Sequence, residues 1–565
     1  MTRKNKKAHF RLSPIACALV LSFAFGAAPA VHAYETIPIV SDTGVPYIHF
    51  DVLAPGEWHS VYDDFDFYDP VDREMAPDEL TALELGTDYF WQLLRDSYAA
   101  QGPINVLLMP YAVQDDNASA MSPSNPDTLM TDLGSAWRGL STDPSKTAAY
   151  ITVDSAVFNW YMDALPVLPH QAKDTDLPGT ILHELFHAFG LTSSYSAVEL
   201  NGEDWIAFAP SDTNLYTLNL HDLTGRSMAE IMEQSGKDTI LLNVVTPGSN
   251  ETLPEDAFNI YFNDRDSGVY FSGEHVKEVL NEARIEWPVD IPNVWNPEDL
   301  VEAARDPVPG LPINGLEGNG RYFDMSHIEL QNSLMSHQYY RNWCVLMEAE
   351  IALLQDIGYD IDRRRFYGYS IYNNNLTFNN SNPYWARKDD GSGWIVGEPS
   401  HQEWGIGLHI YGSNNKVTQI APLMSDGKWG IGTRVDGVGN DLTIASGTVV
   451  QANGAGGKGI LFSWGKNHNL TIEEGATVRA MGDNGIGVSF DFGSNEMGDY
   501  WGYLGSYTAL YQEHVIPVPE ALRGPLVKNF TINGKVEGNL RASTFRPTLL
   551  WRTSSLHRGP KLKAT

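Results

Sequence analysis

The chain has 565 residues, 38 Lys and Arg against 71 Asp and Glu, a formal net charge of −33, and two cysteines. That length predicts more than one domain. So acidic a balance disfavours nucleic acid and anionic membrane as partners and suits a soluble extracellular protein.

Residues 1–33 read as a secretory signal peptide. Arg3, Lys4, Lys6, Lys7 and Arg11 precede an apolar run over 16–28 that is short for a bilayer span, and Val31-His32-Ala33 suits cleavage. Cys17 lies in this leader, so only Cys344 remains after cleavage and no intramolecular disulfide can form. No later stretch has about 20 uninterrupted apolar residues, so no transmembrane helix is expected in the mature chain. Residues 34–76, rich in Pro, Asp and Tyr, read as irregular. Leu80, Leu83, Leu85, Tyr89, Phe90, Leu93 and Leu94 recur at helical spacing and predict a helix over 77–99. Apolar runs predict buried strands over 104–109 and 148–157.

The segment His183-Glu184-Leu185-Phe186-His187-Ala188-Phe189-Gly190 follows. It fits H-E-x-x-H, in which a helix places two imidazoles roughly 40° apart on one face. Two ring nitrogens can then converge on one divalent cation. Zinc suits the pair, because it accepts neutral imidazole and needs only a third protein ligand and a water. Glu184 stands beside them as the base that takes a proton from that water. Asp176 as N-cap, Pro178 in the first turn, an apolar face of Ile181, Leu182, Leu185 and Phe189, and Gly190 as a left-handed stop all support the helix.

Residues 191–320 form a long intervening region with short helical pieces over 225–233 and 274–283. Asn263-Asp264-Arg265-Asp266-Ser267-Gly268 has the look of a calcium loop. Counted from Asp264, however, the twelfth position is His275 and not the glutamate an EF-hand requires, which makes an ordinary turn the better reading and leaves only a weak case for Ca2+. A definite pattern returns over 321–362. It contains His327, Met335 and His337, then a helix over 345–357 ended by Gly358.

From about residue 363, Gly, Asn and Trp rise and helical patterning disappears. Leu442-Thr443-Ile444, Gly447, Val450 and Ala452 recur 28 residues later as Leu470-Thr471-Ile472, Gly475, Val478 and Ala480, with a weaker echo at Phe530-Thr531-Ile532. Trp404-Gly405-Ile406-Gly407 is matched by Trp429-Gly430-Ile431-Gly432. Short strands at such a period predict a parallel β-solenoid. The glycine-rich run over 454–459 has no Ser or Thr after its lysine and reads as a solenoid turn, not a phosphate loop.

The H-E-x-x-H-x-x-G segment resembles the zincin metallopeptidases, and among them the metzincins, whose pattern continues to a third His and a later methionine turn. The position of that third His is Ser193 here, a departure from the pattern. A leishmanolysin-like subset takes its third His from far downstream, just before the methionine turn, and His327, eight residues before Met335, is similar to that arrangement. The resemblance covers roughly 75–362. It implies zinc held by His183, His187 and His327, Glu184 as general base and then acid, Met335 as the floor beneath the metal, and peptide-bond hydrolysis, with Tyr339 or His337 assisting. On ligand type alone, His337, Glu348 and Glu350 remain alternatives for the third ligand.

Residues 363–545 resemble the β-helical passenger of bacterial autotransporters, carried by the Gly-x-Gly-Ile/Val and Leu-Thr-Ile-x-x-Gly repeats. That family continues into a membrane barrel. The stretch from Arg541 onward has six basic residues and no acidic ones, and suggests truncation or a frameshift.

The expected fold is an α+β zincin-type catalytic domain followed by an all-β parallel β-solenoid. The expected layout is a signal peptide (1–33), a zinc metallopeptidase domain (34–362), the solenoid (363–545) and a disordered basic tail (546–565). The expected function is that of a zinc endopeptidase acting on proteins or peptides, secreted or at the bacterial cell surface or periplasm. The alternative is an adhesin that binds through Trp and Tyr residues exposed along 384–505, with an inactive or structural peptidase domain.

Overall fold

A computed structural model describes residues 35–41, 44–57, 71–97, 103–111, 149–154, 159–161, 174–193, 195–200, 203–209, 213–237, 239–246, 252–261, 267–285, 310–317, 322–323, 325–330, 333–336, 346–490, 494–497, 501–504, 508–511, 514–517, 524–545 and 563–564. The leader, Asn263–Asp266 of the calcium-like loop, His337, Tyr339 and all of the basic tail except Lys563 and Ala564 lie outside these residues.

The N-terminal part is α+β. Four strands, Glu35–Val40, Pro46–Val52, Ile104–Tyr111 and Ala149–Asp154, form one sheet in chain order. The first pair is antiparallel and the others are parallel. The first two strands correct the irregular reading of 34–76. Pro38 and Pro46 hide them in the sequence, yet Pro38 sits on the sheet's outer strand and Pro46 opens its own, the two places where a strand tolerates proline.

The connection between the second and third strands carries the helix Pro77–Leu94. Pro77 starts it, and Glu79 reaches back to accept the Ala76 N–H at 2.8 Å. It ends at Leu94, five residues before the expected Ala99. This helix packs against a second one, Leu177–Ala188. The approach is close: a Cβ on Gly86 would lie 2.6 Å from the Pro178 carbonyl oxygen, so only glycine fits there. Phe90 closes the contact with rings 5.3 Å from Phe186 and 4.5 Å from Phe189.

Beyond this helix pair, the intervening region contains more sheet than its sequence suggested. Ser196–Leu200, Glu203–Phe208, Ile240–Val245 and Ala257–Tyr261 form a mixed four-stranded sheet. Val269–Phe271 pairs with Leu220–His221 on one side and Leu311–Ile313 on the other. The expected helix over 225–233 begins later, at Met228, because Ser227 and Glu230 form its capping box and Gly225 (φ +80°) turns the chain before it. The last helix of this part is Glu348–Asp356, and Gly358 (φ +104°) follows it.

From Tyr367 onward the strands stack in parallel rungs. Three all-parallel sheets of six, five and five strands build a β-solenoid-like body. The sequence repeats are its register: Leu442, Thr443 and Ile444 lie beside Leu470, Thr471 and Ile472, which lie beside Phe530, Thr531 and Ile532. Val450 lies beside Val478. Ile406 lies beside Ile431, and Trp404 stacks on Trp429 at 5.8 Å. An antiparallel four-stranded sheet, Ser494–Met497 to His514–Pro517, is inserted before the last rung. Lys563–Ala564 pairs with Lys535–Gly538 at the solenoid's end.

The first rungs pack on the α+β part. Strands Ile406–Ile410 and Ile431–Val435 are buried at every position. Ile406, Ile431 and Leu461 join the N-terminal hydrophobic core, while Leu408, Ile410, Val435 and Phe462 fill the solenoid interior. Tyr367 donates to the Leu346 carbonyl at 2.8 Å, and Tyr372 accepts the Ala349 N–H at 3.0 Å. Of the aromatic residues expected to be exposed, Tyr384 and Trp464 are buried, and Trp385, Trp394, Trp404, Tyr411 and Trp429 are half-buried. Among the described residues, no helix is long and apolar enough to cross a membrane.

Candidate metal centre

The helix Leu177–Ala188 is buried along its whole length. It lies against the long helix and the strand Ala149–Asp154, and its polar residues, Thr180, His183, Glu184 and His187, are buried in that setting. His183, Glu184 and His187 are only 6–7% exposed. The helix begins directly after Asp176, with Pro178 in the first turn, as expected. Gly190 (φ +111°) ends it, the Gly190 N–H reaching the His187 carbonyl at 3.1 Å and the Leu191 N–H reaching the Phe186 carbonyl at 3.0 Å. The reversal also orients a side chain: His187 Nδ1 lies 2.7 Å from the Leu191 carbonyl oxygen.

His183 is held in the same way. Its Nδ1 lies 2.7 Å from the Leu334 carbonyl oxygen, in the tight turn that carries Met335. A carbonyl can only accept, so both rings carry their proton on Nδ1. In the neutral form of these rings the lone pair is then on Nε2. His183 Nε2 lies 3.0 Å from His187 Nε2 and 3.3 Å from His327 Nε2. His327 is the half-buried residue of an otherwise buried segment, 325–330, that pairs with the strand Leu311–Ile313 through an Ile313–Ile328 bridge and the Asn314 N–H to His327 carbonyl bond. One nitrogen from each of the three rings lies within 4.8 Å of the others.

These three histidines could bind a metal ion. Bonds of 2.0–2.1 Å in a tetrahedral site put neighbouring ligand nitrogens about 3.3 Å apart, close to the two measured separations. Without a cation, two neutral imidazole lone pairs would face each other at 3.0 Å, a repulsive contact. A neutral three-nitrogen donor set suits zinc and related first-row ions better than calcium or magnesium, which prefer oxygen.

The remaining sequence candidates fall on both sides of this centre. Ser193 is buried and its N–H donates to Ser326 Oγ at 3.3 Å, so the position from which metzincins draw their third His lies against the neighbour of His327. Met335 is fully buried; its carbonyl accepts the Ile328 N–H at 2.9 Å. Glu348 and Glu350 are committed elsewhere. Glu348 pairs with Arg364 at 3.1 Å and Arg363 at 3.6 Å. Glu350 accepts from Ser333, Met335 and Met347. Burial pushes its carboxyl up to about 7, against the lowering effect of those donors and of Arg434. His275 binds Asp356 through its backbone N–H at 2.8 Å and Nδ1 at 3.0 Å.

Sequence reasoning missed the two carbonyls that fix the histidine tautomers. A backbone acceptor has no sequence signature, although Gly190 signals the turn that delivers Leu191. Comparison with protein-family models, curated proteins and solved structures finds no match.

Proposed function

We propose that this chain is a zinc-dependent endopeptidase of metzincin type, exported by its leader, with a solenoid of autotransporter-passenger character behind the catalytic part. One observation carries the reading: three imidazole nitrogens converge, two of them on the turn-apart histidines of an H-E-x-x-H helix, with Glu184 beside the first. The contact between Ser193 and the neighbour of His327 supports it, since a distant histidine then stands where the family's local one would.

His183, His187 and His327 would hold the ion. Zinc, when bound, lowers the pKa of a water toward about 7 and polarises a carbonyl oxygen. The Leu334 and Leu191 carbonyls keep the His183 and His187 donor atoms aimed at the ion, which raises their basicity. Glu184, 7% exposed, is the base that takes the water's proton and then delivers it to the leaving amine nitrogen. Its burial favours proton exchange with a bound substrate over bulk solvent.

Glu184→Gln tests this role. The variant should bind zinc as wild type does while its cleavage of an unfolded protein substrate falls by about 10²–10⁴-fold. Full activity in the variant would remove Glu184 from the mechanism.

A further inference from the structure

Glu350 has two roles that can be separated by its oxygens. Oε2 accepts the Met347 N–H at 2.7 Å and so caps the helix Glu348–Asp356. Such a cap needs no burial, for Glu230 caps Met228–Ser235 from an exposed position. Oε1 does something that helix capping does not require. It reaches back to the Met335 turn, accepting the Ser333 hydroxyl at 2.8 Å and the Met335 N–H at 3.1 Å.

Those two partners flank Leu334, whose carbonyl binds His183 Nδ1 at 2.7 Å. The Met335 carbonyl in turn accepts the N–H of Ile328, the residue after His327, at 2.9 Å. A single carboxyl, fully buried, thus grips a turn that touches the supports of two of the three histidines. Ser336 closes the turn on itself by donating to the Ser333 carbonyl at 3.0 Å. Burying a carboxyl in this way is unfavourable unless its acceptors are satisfied, and here three donors from two separate segments satisfy them.

We infer that Glu350 is a positioning residue of the metal centre: through the Ser333–Met335 turn it sets the Leu334 carbonyl, and with it the aim of His183 Nε2. This rests on the metal reading above. Outer partners of metal-binding histidines typically tune affinity by 10–100-fold when altered, and Glu350 acts one step further out, through a backbone turn.

The test uses the full chain and reads the metal rather than catalysis. Zinc affinity is measured by competition with a chromophoric chelator, and the visible bands of the Co2+-substituted protein report ligand geometry. Glu350→Ala should weaken zinc binding by about 10-fold or more and shift the Co2+ bands, while apoprotein circular dichroism stays that of wild type. Glu350→Gln keeps an oxygen for Ser333 and Met335 and should recover most of the affinity. A helix-capping role alone would lower the melting temperature and leave the Co2+ bands unchanged, and that result overturns the inference. If Glu350→Ala does not fold, Ser333→Ala decides, because it removes one bond on the turn side and leaves the cap. Weaker zinc and shifted bands support positioning, and wild-type values overturn it. A wild-type protein that binds neither ion overturns the metal reading, and this inference with it.

Discussion

Two polar clusters that bury histidine differ in their wiring. In the solenoid, His409 Nε2 lies 3.0 Å from Asp436, Arg434 Nε lies 2.9 Å from the same carboxylate, and Ser463 donates to its other oxygen at 2.5 Å. Arg434, His409 and Asp436 are at most 1% exposed. Burial alone would raise Asp436, but Arg434, His409 and Ser463 outweigh it and hold the carboxyl at about 2. Burial pushes His409 down, so it stays neutral beside a closed Arg–Asp pair. Charge balances inside the cluster. In the α+β part, by contrast, carbonyls fix the Nδ1 protons of His183 and His187, and the Nε2 atoms converge on one another. The first cluster is neutralised by protein groups alone; the second becomes favourable with a cation. Both clusters bury histidines, but one has its carboxylate and guanidinium paired within the protein and the other turns ring nitrogens toward one another.

Breaking the closed cluster should have the largest effect on stability. Asp436→Ala strands a buried guanidinium and should cost about 3–5 kcal/mol in denaturant unfolding. Zinc affinity of the molecules that remain folded should be unchanged.

Next comes a proton-linked effect in the same solenoid. His468 Nδ1 accepts the Asn440 N–H at 3.2 Å and its Nε2 donates to the Trp464 carbonyl at 2.8 Å. Burial pushes its pKa from 6.5 to about 4, and a proton on Nδ1 would oppose the Asn440 N–H. The unfolded chain therefore takes up this proton first. The stability contributed by neutral His468 is complete above about pH 6.5 and is lost as pH falls to about 4, a change on the order of 3 kcal/mol. Glu350 acts in the opposite sense. Its folded pKa, about 7, lies above the ordinary 4.5, so its contribution is lost as pH rises through that window. The difference between wild type and His468→Gln isolates the histidine slope, which should vanish in the variant. Equal slopes in the two proteins would contradict it.

A smaller change belongs to the converging cluster. Gly190→Ala places a side chain at φ +111°, with its Cβ 3.4 Å from Ile357. It should cost about 1–3 kcal/mol in thermal unfolding and weaken zinc binding, because the Leu191 carbonyl moves away from His187. Loss of stability without loss of affinity would show that the turn does not aim the ring.

The same contrast explains what could be read in the sequence. The closeness of His183 and His187 was legible because it is local, one turn of an apolar helix. The solenoid was legible because each rung repeats its apolar positions, and Leu442–Ile444 and Leu470–Ile472 became paired strands. His327 was legible only through resemblance. Its partner His183 lies 144 positions away, and no local pattern spans that distance. The Leu334 and Leu191 acceptors are backbone atoms. The strands hidden by Pro38 and Pro46, and the burial of Ile406–Ile410 on both faces, depend on packing between distant segments.

The central claim is that three histidines form one metal site. Metal content of the purified protein by mass spectrometry, wild type beside His327→Ala, tests it most directly. The expected result is one zinc per wild-type chain and much less in the variant. A folded wild type without zinc, or a variant that keeps its full zinc, would contradict the account.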